Sequence, residues 1–250
     1  MISAVPDGLT LSDLARRDWV RNIVSLPRSE DLYDDIADSA AESAVAVAAE
    51  LAGKPPHYLS AEPVIQRPFE EADYFNAIRF PFEHWSESRY STGRWGVWYG
   101  AATLFTSACE TVHHWLQTIA DAVDLPAAEC VIGKRRAYDV RCEAALLDLR
   151  PAIPSQPLIV DPAKYAYTQS LGAQLVREKQ PGLMTNSARG PDAVVAVFVP
   201  EILTNPRHKC YLTYRLDTRS GDIRIDCGAD EARWQVRVTE AGRIGLAEPL

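Results

Sequence analysis

The residues best suited to chemistry lie in one stretch of the chain, which runs from Arg89 to Trp115. This stretch combines arginines with several aromatic side chains and contains one carboxylate, that of Glu110. Guanidinium groups hold phosphate oxygens through paired hydrogen bonds. A fixed carboxylate stabilises positive charge that develops during a reaction. The stretch therefore predicts a site that holds a dinucleotide and stabilises a sugar cation.

Glu110 is the sharpest candidate among these residues. The segment that contains it has the apolar spacing of an amphipathic helix, and Glu110 lies about 180° from the centre of the apolar stripe. It is the only charged residue between Thr103 and Ala120, and its neighbours one turn away, Thr106 and His114, are not fixed cations. A carboxylate in this position suits a site better than a role in solubility. A solvated or helix-capping glutamate is the alternative.

Four arginines are candidates for holding an anionic ligand: Arg67, Arg79, Arg89 and Arg94. Acidic residues are interleaved with them, so surface ion pairing is the alternative interpretation. The chain has a net charge of -8, which argues against nonspecific binding of nucleic acid because phosphate contacts need a basic face. We therefore expect any anionic ligand to be held by a local cluster of arginines.

Aromatic side chains accompany these arginines, namely Tyr90, Trp95, Trp98 and Tyr99. Such residues belong to a core more often than to a ligand platform. Alternation along a strand places Trp98 and Tyr99 on opposite faces, so one of them can be buried while the other faces a cleft.

Two further groups of polar residues have side chains that are able to take part in chemistry. Ser187 lies in a turn of small polar residues, 185–190, between two segments of strand character, where ordinary turn chemistry is the alternative. His113 and His114 are adjacent, and neighbouring positions of a helix point about 100° apart, so the two cannot chelate one ion together. We predict no metal site.

The first part of the chain predicts helices. Apolar residues at four-residue steps predict an amphipathic helix over residues 9–24, and an alanine-rich stretch predicts a second helix over residues 32–51. Together they predict a helical extension over residues 1–55, followed by a domain over residues 56–250. Prolines and mixed charge predict loops and short pieces over residues 63–81.

The later part of the chain predicts strands. The segment 96–100 predicts a short strand before the helix of Glu110, and Asp161 with Pro162 predicts the start of another helix, which ends near residue 181. Strand patterns follow the alternation of apolar residues at 137–142, 145–149, 182–187, 193–199, 209–216, 222–227 and 234–239. Helices early and strands late favour an α+β fold with an antiparallel or mixed sheet.

Composition bounds the class of protein. The chain has 250 residues, of which 47% are apolar, and this is ample for a packed core. It contains neither a signal-peptide pattern nor a long uncharged apolar run, so we expect a soluble cytoplasmic protein. The five cysteines are scattered, which predicts reduced and mostly buried thiols. The motifs of dinucleotide-binding Rossmann folds, P-loop proteins, α/β-hydrolases and zinc proteases are all missing.

Five features follow one another in a recognisable order. They are Arg67, the arginine–aromatic segment at 88–93, Tyr99 at the end of a short strand, Glu110 on the following helix, and Ser187-Ala188-Arg189 before an apolar strand. In this order the chain resembles the RES domain family, toxins of bacterial Xre–RES toxin–antitoxin pairs that are named for an arginine, a glutamate and a serine. The resemblance covers roughly residues 63–200.

The resemblance implies an ADP-ribosyltransferase-like fold that binds NAD as a substrate and breaks the nicotinamide–ribose bond, with water or phosphate as the acceptor. It implies a catalytic set of Glu110, Arg67 and Ser187. Glu110 would stabilise the ribosyl cation, and Ser187 would bind the nicotinamide ribose or position the carboxylate. The residues implied in NAD binding are Arg89, Tyr99, Arg79, Arg94 and Tyr90. Arg67 and Arg89 would hold the pyrophosphate, with Arg79 and Arg94 as competitors for these two roles, and Tyr99 would stack on the nicotinamide ring or line its pocket.

Two other functions compete with an NAD-depleting toxin. One is an ADP-ribosyltransferase that modifies a protein or small molecule, and the other is a catalytically silent domain that serves only as a binding partner. The resemblance also implies a partner, a separate Xre-type antitoxin chain. We expect no direct contact with nucleic acid or membrane, and the sequence leaves the oligomeric state, including a homo-oligomer, open.

Overall fold

The computed structural model describes Pro6 and residues 8–24, 74–120, 130–228, 231–238 and 244–247. Within these ranges one large sheet of eleven strands carries the fold, and a two-stranded hairpin stands beside it. The predicted α+β class is confirmed, because the sheet is antiparallel except where the strands Leu146–Asp148 and Gly182–Asn186 run parallel.

The strands fall into three groups along the chain. The first five are β1 (Leu11–Ser12), β2 (Asp18–Val24), β3 (Glu87–Ser88), β4 (Ser91–Thr92) and β5 (Trp98–Ala101). The next four are β6 (Cys130–Cys142), β7 (Leu146–Asp148), β8 (Gly182–Asn186) and β9 (Ala193–Val197). The last four are β10 (Leu203–Asp217), β11 (Ile223–Cys227), β12 (Glu231–Val238) and β13 (Ile244–Ala247).

The described ranges contain few helices. A π-helical turn over Phe75–Arg79 leads into the short α1 (Phe80–Glu83), and the two main helices are α2 (Leu104–Ala120) and α3 (Ala166–Arg177). Short 3-10 turns lie at Asp13–Ala15, Arg150–Ala152, Pro157–Val160 and Pro200–Ile202. The predicted helix of Glu110 and the predicted helix after Asp161 are therefore both confirmed.

The order of strands in the large sheet is β1-β7-β8-β9-β5-β2-β6-β10-β11-β12-β13. The junction between β5 and β2 is the weakest, since these two strands pair only at Val20 and Ala101. By contrast, β2 pairs with β6 along its whole length, from Asp18 to Val24. The middle of the sheet thus has a place where two neighbouring strands share little of their backbone hydrogen bonding.

The apolar side chains of α2 pack on one face of this sheet. Ala108, Cys109 and Val112 are fully buried in a core cluster with residues of β6, β10 and β11. The cluster covers the apolar stripe that the sequence predicts, so the opposite side of α2, which carries Glu110, is turned away from that core. In a separate core cluster, α3 packs with β8 and β9, and this cluster also contains Tyr90.

The predicted helix over residues 9–24 is wrong. These residues form β1, a 3-10 turn and β2, and β2 lies between β5 and β6 near the middle of the sheet. The four-residue spacing that suggested a helix is coincidental, because Leu11 is exposed while Trp19 is buried. Backbone pairing along the length of β6 decides the outcome, and the β-branched residues Val20 and Ile23 suit it. The second predicted helix and the rest of the predicted extension lie outside the described residues.

The strands predicted in the second half of the chain are confirmed, with β6 and β10 longer than expected. The expected alternation at β5 also holds, since Trp98 is fully buried and Tyr99 is only partly so. Part of the segment predicted as loops and short pieces, 63–81, is helical from Phe75 onwards, and residues 63–73 lie outside the described residues. Of the five cysteines, all of them free, only Cys130 is exposed.

Gly172 of α3 lies against the backbone of Tyr90, in the turn between β3 and β4. A Cβ atom at this position would stand 2.1 Å from the carbonyl oxygen of Tyr90, a distance that requires the helix or the Tyr90 backbone to move. We expect Gly172→Ala to lower the free energy of unfolding by about 2 kcal/mol, because overpacking outweighs the gain in helix propensity. Urea titration measures this change. Ser170→Ala, at an exposed position of the same helix, is the control, and a loss no larger than that of the control would contradict the prediction.

Candidate active site

A cavity of about 190 Å³ opens at the weak junction between β5 and β2. Residues of both strands line it, together with residues of α2, the β8–β9 turn and the β3–β4 hairpin. Among the described residues of its lining, the charged ones are Glu110 and four arginines, namely Arg21, Arg89, Arg135 and Arg189. One carboxylate against four guanidinium groups makes this cavity positive, although the chain as a whole has a net charge of -8. An anionic ligand fits this imbalance.

Glu110 is fixed by two partners, one on each carboxylate oxygen. Ser187 donates to Oε1 at 2.5 Å, and Nη1 of Arg189 donates to Oε2 at 2.7 Å. The side chain of Arg189 is only 1% exposed, whereas that of Glu110 is 25% exposed. The carboxylate is therefore held from the protein side and remains open toward the cavity.

Arg189 is itself braced by a second pair of hydrogen bonds. Its Nη2 donates to the carbonyl oxygen of Pro162 at 2.9 Å and to the hydroxyl of Tyr165 at 2.6 Å. Both partners lie just before α3, so this segment fixes the guanidinium that holds the carboxylate. These contacts hold the Arg189 guanidinium, and through it the Glu110 carboxylate, in one position. Groups that are fixed before a reaction need no reorganisation during it.

The charge state of Glu110 follows from these contacts. Burial by itself raises the pKa of a carboxyl group, but the charge of Arg189 and the hydrogen bonds from Ser187 and Arg189 outweigh it, with a further contribution from Arg89. The net effect lowers the pKa of Glu110 below its ordinary value. At neutral pH the group is an anion that accepts hydrogen bonds and attracts positive charge.

Ser187 is placed by the turn between β8 and β9. Its hydroxyl oxygen accepts hydrogen bonds from the backbone N–H groups of Arg189 and Gly190, at 3.0 and 2.7 Å. The hydroxyl hydrogen is thereby directed to Glu110. The start of α2 anchors the same turn, because Thr106 donates to the carboxylate of Asp192 at 2.7 Å. Ser187 therefore stabilises its own turn, as the alternative interpretation holds, and it also donates a hydrogen bond to the carboxylate of Glu110.

Arg89, Tyr90 and Tyr99 form another part of the cavity wall. Nη1 of Arg89 donates to the carbonyl oxygen of Asp161 at 2.7 Å, and its guanidinium lies 4.7 Å from the centre of the Tyr165 ring. Its Nη2 is buried without a hydrogen-bond partner. The hydroxyl of Tyr99 accepts from the backbone N–H of Tyr90 at 3.1 Å and donates to Ser88 at 2.8 Å. Burial raises the pKa of Tyr99 to about 12, so this phenol is neutral.

The structure brings together five of the predicted site residues and separates others. Glu110, Arg89, Tyr90 and Tyr99 line the cavity, and Ser187 contacts Glu110 from behind. Two of the predicted ligand-binding arginines, Arg79 and Arg94, are exposed and do not line it. Arg79 forms a surface ion pair with Glu83 at 2.9 Å, which is the alternative that the interleaved acids suggested. Arg67 lies outside the described residues.

Sequence reasoning gave no role to three arginines that line the cavity, Arg21, Arg135 and Arg189. Arg189 stands two residues after Ser187, and its place in the resemblance was the available signal. Arg21 was hidden because its segment was assigned to a helix. Arg135 lies in the first half of β6, ahead of residue 137, where the alternation of apolar residues predicts the start of this strand.

His113, on α2, should make the free energy of unfolding depend on pH. Burial, the charge of Arg189 and the neighbouring His114 together lower the pKa of His113 to about 4. Because this lies below the value of about 6.5 for an unfolded chain, protonation favours unfolding. The contribution to stability is therefore complete above about pH 6.5 and is lost as the pH falls toward 4. Unfolding free energies at pH 7 and 4.5 should differ less in His113→Gln than in wild type. His84→Gln, at an exposed position, should leave the difference unchanged, and an unchanged difference in His113→Gln would contradict the prediction.

The fold and the site together define a class: an α+β protein with a positive cavity in its sheet and an ion-paired carboxylate on the cavity wall. A family model, the RES domain, matches residues 65–217. The chain belongs to the RES domain family, as the order of its sequence features predicts. The match includes Glu110, Ser187 and Arg189, but it does not include β2.

Other comparisons are more distant. The chain is similar to a chain in the crystal structure of the M. tuberculosis MbcT–MbcA toxin–antitoxin complex, with 13% identity and a TM-score of 0.38 over 50% of this chain and 70% of that chain. A comparison with curated proteins finds no match. No helix in the described part of the chain is both long enough and apolar enough to cross a bilayer.

Proposed function

We propose that this protein cleaves the nicotinamide–ribose bond of NAD. One observation carries the proposal: the ionised carboxylate of Glu110, held by Ser187 and Arg189, faces a cavity lined by four arginines. The cavity combines a group that stabilises a cation with groups that bind an anion. NAD contains both, since its nicotinamide ribose becomes cationic on cleavage and its pyrophosphate is anionic. Membership of the RES domain family supports the same substrate.

The chemistry needs no covalent help from the protein. The bond between C1′ of the ribose and the ring nitrogen breaks, and its electron pair leaves with nicotinamide, which becomes neutral. Positive charge develops on the ribose as in other glycosyl transfers. The Glu110 carboxylate would stabilise this charge more in the transition state than in the ground state. Water then adds to C1′ and releases a proton to give ADP-ribose, whereas phosphate as acceptor gives the ribosyl phosphate.

The remaining roles follow from the positions of the side chains. Ser187 and Arg189 keep the carboxylate ionised and aimed at the ribose. Arg89, whose Nη2 has no partner in the protein, would bind a phosphate oxygen of the dinucleotide. Tyr99 and Tyr90, which line the cavity next to Arg89, would border the nicotinamide ring.

Incubation of the purified protein with NAD tests the proposal. We expect release of free nicotinamide, measured by chromatography, at a rate far above that of NAD alone. Arg94→Gln, at an exposed position outside the cavity, should release nicotinamide as fast as wild type. NAD labelled in the adenine separates the alternatives, because soluble labelled product indicates cleavage and label on a macromolecule indicates transfer. Absence of nicotinamide release by wild type would contradict the proposal.

We further propose that the activity is that of a toxin whose antitoxin is a separate Xre-type chain. Induction in a bacterial host should stop growth and lower cellular NAD, and co-expression of the antitoxin should restore both. Induction of the Glu110→Gln variant should neither stop growth nor lower cellular NAD. Ordinary growth with the wild-type protein and no antitoxin would favour a silent binding domain instead.

A further inference from the structure

Arg21 and Arg135 form a pair of positive charges within the cavity. Arg21 lies on β2 opposite Tyr138, and Arg135 lies on the neighbouring strand β6 opposite Val24. Their side chains therefore leave the sheet on opposite faces, and they can meet only in the cavity, which opens at the junction where β5 and β2 pair least. Both residues line the cavity beside Glu110. Arg135 is near enough that, after burial, its positive charge is the main factor that lowers the pKa of Arg21 to about 10. Both guanidinium groups therefore remain charged at neutral pH while they repel each other.

No carboxylate among the described residues forms an ion pair with either arginine. Arg21 donates from Nη1 to the carbonyl oxygen of Tyr99 at 3.1 Å, and its Nε is buried without a partner. The group that faces Arg135 electrostatically is Tyr214, whose pKa is raised to about 12 by burial and which is therefore a neutral phenol. Glu110, the acid in the cavity lining, is already paired with Arg189.

Two half-buried like charges without a counter-ion are costly to keep in a folded protein. The cost is offset when a ligand supplies the negative charge. A pyrophosphate or a free phosphate dianion suits this place, because each brings two negative charges in total and several oxygens, which two planar guanidinium groups can bind together. A carboxylate would bring a single charge and would leave the second arginine uncompensated.

We propose that Arg21 and Arg135 form a phosphoryl-binding subsite of the cavity, separate from the pair of Arg189 with Glu110. The phosphoryl group belongs either to the pyrophosphate of the dinucleotide or to free phosphate. Arg21 precedes the segment matched by the family model, 65–217, so the subsite joins a strand outside the match to one within it. The inference rests on the proposed function only in its choice of ADP-ribose as a probe.

Calorimetric titration of the full chain with inorganic phosphate and with ADP-ribose tests the subsite. We expect wild type to bind at least one of these probes. The variants Arg21→Gln and Arg135→Gln should each weaken that binding about tenfold to a hundredfold, because each removes a hydrogen bond to a charged group. Arg94→Gln, the same change at an exposed position outside the cavity, should bind as wild type does.

Thermal unfolding without ligand separates loss of a ligand contact from loss of the fold. Removal of one of two repelling half-buried charges should leave the melting temperature of Arg135→Gln equal to or above that of wild type, while its affinity falls. Arg21→Lys keeps the charge and should retain more affinity than Arg21→Gln. A subsite with only a structural role would show the reverse, a lower melting temperature with unchanged affinity.

Competition identifies the source of the phosphoryl group. If phosphate and ADP-ribose exclude each other, the subsite binds the pyrophosphate, and if they bind together, it binds free phosphate. The subsite is overturned if wild type binds neither probe, or if both glutamine variants bind within twofold of wild type. These results do not depend on cleavage. An inactive protein that loses affinity in the variants would contradict the proposed function alone, and an active protein with unchanged affinities would contradict the subsite alone.

Discussion

Glu110→Gln is expected to slow the release of nicotinamide from NAD by about a hundredfold to a thousandfold, with a smaller change in KM. The substitution keeps the size of the side chain and its capacity to contact Ser187, but it removes the negative charge. That charge acts on a cation that exists only near the transition state, so its loss lowers kcat more than substrate binding. Steady-state rates of nicotinamide release over a range of NAD concentrations measure both constants.

The control for this variant is Glu83→Gln. Glu83 pairs with Arg79 on the surface at 2.9 Å, with 42% of its side chain exposed, so the same chemical change should leave the rate unaltered. Circular dichroism of Glu110→Gln establishes that the fold is retained. A properly folded Glu110→Gln protein with a rate within threefold of wild type would rule out the proposed electrostatic role.

Arg189→Gln is expected to have the second largest effect, and it acts through Glu110. Arg189 is 1% exposed and its guanidinium pairs with the carboxylate at 2.7 Å. Its removal leaves the half-buried carboxylate of Glu110 without its partner, which costs about 3 kcal/mol of stability at neutral pH, the lower end of the range for a buried pair. Chemical unfolding at pH 7 measures the loss. Arg79→Gln, which breaks an exposed ion pair, should cost less than about 1 kcal/mol.

A change in pH dependence distinguishes positioning from simple packing. In wild type the pKa of Glu110 is held below its ordinary value, so the carboxylate stays ionised well into the acidic range. Without Arg189, burial dominates and raises this pKa. The acidic limb of the pH–rate profile should therefore move to higher pH in Arg189→Gln and move back in part in Arg189→Lys. A lower rate with an unshifted acidic limb in both variants would show that Arg189 serves the fold alone.

The sequence predicted the position of Glu110 because a helix surface is a local property. The apolar stripe of α2 packs into the core as the 3.6-residue period requires, so the residue opposite that stripe could be identified without coordinates. Strands such as β8 and β9 were predicted for a similar reason, since alternation records burial directly. In both cases the information lies within about twenty neighbouring residues.

The partners of Glu110 were beyond this local information. Arg189 and Ser187 are separated from it by 79 and 77 residues, and only the folded sheet brings them together. The resemblance to the RES domain family supplied Ser187, but it did not show that Arg189 would hold the second carboxylate oxygen. The exposed positions of Arg79 and Arg94 were equally unpredictable, because an arginine beside acidic residues looks the same in a site and on a surface.

The assignment of residues 9–24 failed because two periods compete in a short amphipathic segment. Apolar residues spaced four apart suit a helix. The end of the same segment nevertheless forms β2, because the long neighbouring strand β6 offers hydrogen bonds along the whole length of β2. The error had a functional consequence, since it removed Arg21 from the list of candidates. A strand assignment would have placed an arginine in the middle of the sheet, which is itself a signal of a ligand site.

A crystal structure of the Glu110→Gln variant with intact NAD tests the central claim most directly, because this variant should bind the substrate and cleave it slowly. We predict that the nicotinamide ribose lies in the cavity, with its C1′ atom facing the side chain of residue 110 between Tyr99 and the turn of Ser187. NAD bound elsewhere, or bound in the cavity with the adenine end against residue 110, would contradict the account.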